Sequence, residues 1–128
     1  MFGLNNSKKI DLVKESKNAY IEILREIREI LESSGNIAQM RVIQTLIDSL
    51  ETEEYRKFVK FTNSIDMWGG SGAVWEVYIE DNEKSLKFEK SIVALINLME
   101  KTDILGRGIK PIRRIFQDNS KDNSRDNI

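Results

Sequence analysis

The side chains available for chemistry in this 128-residue chain are carboxylates, amines, phenols and hydroxyls, because it contains no His and no Cys. Histidine is the usual general base near neutral pH, and cysteine is the most nucleophilic side chain. Their absence excludes Ser-His-Asp triads, Cys-His dyads, zinc or haem sites built on either residue, Cys-ligated iron–sulfur clusters and disulfides. The carboxylates Asp66, Glu76, Glu80 and Asp81 gather around one glycine-containing stretch, residues 65–80. A carboxylate pair at a suitable separation can do acid/base work of the glycosidase type or hold Mg²⁺. No DxD-like ligand spacing occurs here, and the plainer alternative is a solvated acidic rim with helix caps. No metal and no cofactor is expected, and the chain is expected not to be an enzyme.

The same stretch carries Gly69, Gly70 and Gly72 between Trp68 and Trp75, with Met67 and Tyr78 close by. Phosphate binding requires backbone N–H groups at a helix start, usually with a Lys. No Gly-Lys-Ser/Thr and no GxGxxG is present, and an apolar segment follows, which argues against a nucleotide loop. A recognition loop fits the aromatic content better, since Trp and Tyr bury much area at small entropic cost. The alternative is architectural: a tight turn whose Trp rings close the end of the core. The candidate partner-binding set is Asp66, Trp68, Gly69, Gly70, Gly72, Trp75, Glu76 and Tyr78.

These residues need elements to position them. Ile10, Val13, Tyr20, Ile21, Leu24, Ile27 and Leu31 follow helical spacing and predict one helix from Ser7, a plausible N-cap, to Ser34, with Gly35 as its left-handed stop. A second helix is predicted from Asn36 to Leu50 and a third from Thr52 to about Ser64, forming a nearly continuous rod bent near Glu51-Thr52. Val74–Ile79 is rich in β-branched and aromatic residues and predicts an extended segment. A last long helix is predicted from Asp81 or Asn82 to about Asp103. Lys110–Phe116 adds a turn with Pro111 at a permitted early position. The fold class is therefore mainly α: a four- to five-helix bundle with a Gly/Trp-rich loop and a short extended segment before the last long helix. Residues 1–116 are read as one helical domain. Residues 117–128, with no apolar residue before Ile128, are read as a disordered polar tail.

The net charge of −1 hides an uneven distribution. Residues 1–104 carry −4, whereas 105–116 hold Arg107, Lys110, Arg113 and Arg114 and no acid. A single four-charge patch is a weak nucleic-acid signal, so nucleic acid is not the expected partner. The alternative is a C-terminal helix that docks by Ile109, Ile112, Ile115 and Phe116 while its cations pair with acids of the first helix. No run of about 18 apolar residues and no secretory signal is present, so no membrane association and a cytoplasmic location are expected. Apolar stripes wider than one helical face leave room for a homodimer.

At Asp66–Glu76 the chain resembles a group of small bacterial helical proteins of unknown function. They share a Gly-Gly-x-Gly-small-aliphatic-Trp/Asn-acidic loop between helices, and some resemble immunity proteins encoded beside polymorphic or contact-dependent toxins. The matching positions are Gly69, Gly70, Gly72, Val74, Trp75 and Glu76. Ala73 stands where many members have Ser, so a role needing a hydroxyl there is not implied. The resemblance implies no catalytic residue. It implies a cytosolic protein that neutralises a toxin domain by direct binding. The alternatives are a structural or regulatory homodimer and a carboxylate- or Mg²⁺-dependent enzyme.

Overall fold

The computed structural model describes the backbone of residues 6–126 and the side chains of residues 7–118. The first apolar stripe folds as two helices, α1 (Asn6–Glu15) and α2 (Lys17–Ser33), and not as the single helix expected. They part at Ser16, whose N–H is shared between the carbonyls of Leu12 and Val13 at 3.1 Å each. That shared donor is the local tightening typical of a 3₁₀ step. Ser7 lies inside the first turn of α1 and does not cap it.

A three-residue turn leads to α3 (Ile37–Glu51). In it Asn36 N–H reaches back to Leu31 O and Gly35 N–H to Glu32 O, with Gly35 at φ +81°. This pair of bonds satisfies carbonyls that the end of α2 leaves without helical partners. The same closure follows α3, where Glu54 N–H bonds Ser49 O, Glu53 N–H bonds Leu50 O, and Glu53 takes φ +60°. The expected rod is therefore broken at residues 52–54, and α4 (Tyr55–Thr62) starts anew.

Next comes the short α5 (Ile65–Trp68), then a single 3₁₀ turn at Val74–Glu76. The extended segment expected over 74–79 is thus only partly extended, and no strand occurs among the described residues. Among the described residues no second strand lies beside it to satisfy a ladder. Instead Val74 and Ile79 each drop into the core, and Tyr78 between them is exposed. Helix α6 (Asn82–Lys101) begins at Asp81, whose carboxylate accepts from Lys84 N–H at 2.8 Å, and closes through Asp103 at φ +59°.

Helix α7 (Lys110–Asp126) follows. Its backbone continues through Gln117 to Asp126, across most of the stretch expected to be a tail, while residues 127–128 lie outside the described residues. Phe116 is its last buried side chain among those described. Its cations pair with α6 and not with the first helix: Lys110 Nζ and Arg113 Nη1 lie 3.2 and 3.1 Å from the Glu100 carboxylate. Those hydrogen bonds, from Arg113 first and Lys110 second, hold the exposed Glu100 carboxyl below its ordinary range.

Helix α2 is the centre of the bundle, packed on α3 and α6, with α7 laid on α6. Tyr20, Leu24, Ile27 and Leu31 of α2 meet Ile43, Leu46 and Leu50 of α3 and Ile92, Leu95, Ile96 and Met99 of α6 in one core. The Tyr20 hydroxyl is buried against Thr102 Oγ1 at 2.6 Å, and burial pushes its pKa well above the ordinary phenol value. No helix among the described residues is long and apolar enough to cross a membrane.

Candidate functional site

The Gly/Trp loop is a built structure. Helix α5 ends where Gly69 N–H bonds Ile65 O at 2.8 Å. A Cβ on Gly69 would lie 2.6 Å from that same carbonyl oxygen, so the close approach requires glycine. Gly72 takes φ +90°, a backbone state that L side chains rarely adopt. Gly70 has neither constraint: no positive φ and open space around a Cβ.

Both indole N–H groups are used internally. Trp68 Nε1 donates to Thr62 O at 2.6 Å, tying α5 to the end of α4. Trp75 Nε1 donates to Gly69 O at 2.9 Å, closing the glycine turn across its mouth. The Trp75 ring meets Phe116 of α7 edge-on, with centroids 6.2 Å apart. Both Trp side chains are half-buried against the core. Two amides outside the loop hold it, one from α3 and one from the residue that precedes it: Gln39 Nε2 donates to Gly72 O at 2.9 Å, and Asn36 Nδ2 to Tyr78 O at 3.4 Å. Asn63 performs a similar task one turn away. Its Nδ2 donates to Val59 O and Ile104 O, and its Oδ1 accepts from Gly106 N–H at 2.8 Å. Sequence reading missed the tethering roles of Asn36, Gln39 and Asn63, because a side-chain amide bonded to a distant carbonyl leaves no periodic signal; it named Phe116 as a docking residue but not its contact with Trp75.

The surface of this frame has a consistent character. Ile65 is 83% exposed and Tyr78 81% exposed, whereas Met67, Ala73 and Val74 beneath are buried. From Phe61 to Glu83 the chain has five acids (Asp66, Glu76, Glu80, Asp81, Glu83) and no Lys or Arg. None of the five makes an ion pair among the described residues. Asp66 shares a cleft of about 240 Å³ with Arg41, Val42, Phe61 and Ser64, open between α3 and the α4–α5 joint. Such a volume is below the roughly 300–1,000 Å³ usual for small-molecule sites. Among the described residues no group of three or more carboxylates is placed to hold a metal ion.

Of the eight predicted site residues, Asp66, Glu76 and Tyr78 face solvent, Trp68 and Trp75 build the frame, and Gly69 and Gly72 satisfy backbone geometry. Gly70 is exposed and unconstrained. The carboxyl of Glu89, pushed up by burial, lies on α6 outside the loop. No protein-family model, curated protein or solved structure matches this chain.

Proposed function

We propose that this chain is a non-enzymatic binding protein of the immunity type, which neutralises a toxin by covering a basic surface with its Gly/Trp loop. The carrying observation is the composition of this segment: five acids without an ion pair among the described residues, together with two exposed apolar side chains, Ile65 and Tyr78, on a loop pinned by four side-chain-to-backbone hydrogen bonds. A pinned loop loses little conformational freedom on binding, which favours affinity. An uncompensated negative face speeds encounter with a basic surface and selects against acidic ones. In this reading Tyr78 and Ile65 are the apolar contacts, Asp66 and Glu76 the charged ones, and the two Trp residues hold the geometry.

The test is co-expression with the product of the adjacent gene, followed by affinity measurement. A complex is expected, and Tyr78→Ala combined with Glu76→Gln weakens it at least about tenfold, the equivalent of roughly 1.4 kcal/mol. Unchanged affinity in a folded double variant overturns the assignment of the surface. A second reading, in which the loop is architecture within a structural or regulatory protein, is favoured by the inward use of both indoles. It predicts that Tyr78→Ala is silent while Trp75→Ala unfolds the chain.

A further inference from the structure

We propose that this chain associates with a second copy of itself, the acidic loop face of one molecule seated on a cationic cleft between α1 and α4 of the other. The cleft is built by the most basic element of the fold. Helix α4 carries Arg56, Lys57 and Lys60 and no acid in eight residues. Arg56 and Lys60 stand one helical turn apart and, with Lys9 of α1, rim a cleft of about 290 Å³ floored by Ile10 and Val59. Ile10 and Val59 are only half-buried, so this floor is apolar surface left at the edge of the core.

The three rim cations differ in availability. Lys9 Nζ lies 4.0 Å from the Asp103 carboxylate. Arg56 and Lys60 are exposed and make no ion pair among the described residues. The neighbouring Lys57 is turned away toward Glu54, 3.6 Å distant, and sits over the Phe61 ring.

The complement to this cleft is present on the same chain. The loop segment offers acids without an ion pair among the described residues, with Tyr78 and Ile65 exposed in the same segment, and the cleft offers Arg56 and Lys60, likewise without an ion pair, beside exposed parts of Ile10 and Val59. A net charge of −1 over the whole chain conceals these two opposed regions. Opposite charge patches with apolar centres steer encounter and fix register. Exposed pairs of this kind are individually weak and salt-screened, so the association is concentration-dependent and confined to low ionic strength. The inference uses the loop face already described but does not depend on a toxin as its partner. A basic partner would compete with the second copy for that face.

The experiment is sedimentation of the full chain, at several concentrations, in about 10 mM and about 1 M salt, where the screening length falls from about 30 to 3 Å. At low salt the average mass is expected to rise with concentration above 14.8 kDa, and at high salt to return to it. Arg56→Gln with Lys60→Gln, and separately Glu76→Gln with Glu80→Gln, each abolish the rise. Mixing these two variants restores association, because each retains the half the other lacks. Lys87→Gln with Lys90→Gln, two changes of the same charge elsewhere, leave it intact. Tyr78→Ser weakens it without altering charge. A chain that stays monomeric at low salt overturns the proposal, as does association that survives either double neutralisation or a mixture that stays monomeric. Cleft variants leave capture of a basic partner by the loop unchanged, so loss of self-association does not count against the proposed function.

Discussion

Gly69, Gly70 and Gly72 look interchangeable in the sequence, yet each meets a different physical demand. A methyl on Gly69 collides with the Ile65 carbonyl, to which Gly69 N–H is itself bonded, so relief requires moving the end of α5. Gly69→Ala is expected to lower stability by about 2 kcal/mol or more, within the range of a strained backbone site. Gly72→Ala has room but the wrong dihedral, and about 1 kcal/mol is expected for a left-handed alanine. Gly70→Ala has neither problem and is expected to stay within about 0.5 kcal/mol of the parent. Urea denaturation of the three variants checks the order, and an equal loss in all three would refute it. Asp66, Glu76 and Glu80, which invite a catalytic reading in the sequence, are exposed side chains.

Helix ends, more than helix bodies, decide the layout. Three of them close by the same two-bond turn, with Gly35, Glu53 and Asp103 in the left-handed position. Glutamate is poorly suited to that place on two counts: its Cβ is strained there, and its charge faces the negative end of α3. Glu53→Gly is therefore expected to raise stability by about 0.5–1 kcal/mol, read as a higher denaturation midpoint. Asp103→Gly should gain less, because Asp103 also meets Lys9. Apolar periodicity is enough to locate α3 and α6, whose start is expected at Asp81 or Asn82 and lies at Asn82 with Asp81 as its cap, and Gly35 marks its own turn. The boundary near Glu51-Thr52 is legible, but the full turn at residues 52–54 is not, because the left-handed residue there is Glu, which carries no turn signal. The break at Ser16 was hidden for a similar reason, since neither Gly nor Pro marks it. Val74–Ile79 had the composition of a strand, but composition reports a fit to a pleated surface and not the presence of a neighbour. The candidate site was legible as a location and illegible as a structure. Its Trp and Gly residues could be named, but the Asn36, Gln39 and Phe116 contacts that fix it come from elements far along the chain.

At the scale of the whole molecule the loop joins α7 to the start of α3. Trp75 touches Phe116 of α7, while the loop backbone is bonded from the start of α3. Phe116 is 7% exposed and belongs to the same core as Met67 and Val74. Phe116→Ala is expected to cost about 3 kcal/mol, near the low end for losing a buried ring, and to loosen α7 and the loop together. Hydrogen exchange would show added opening in both segments. Opening confined to α7 would mean that the ring contact does not couple them. The two Trp residues also have an optical consequence. Each indole is half-buried, hydrogen-bonded to a carbonyl, and attached to a different joint: Trp68 to the end of α4, Trp75 to the glycine turn and α7. The molecule thus holds two native fluorophores, and replacing one with Phe leaves a single emitter whose colour reports the undocking of one named joint.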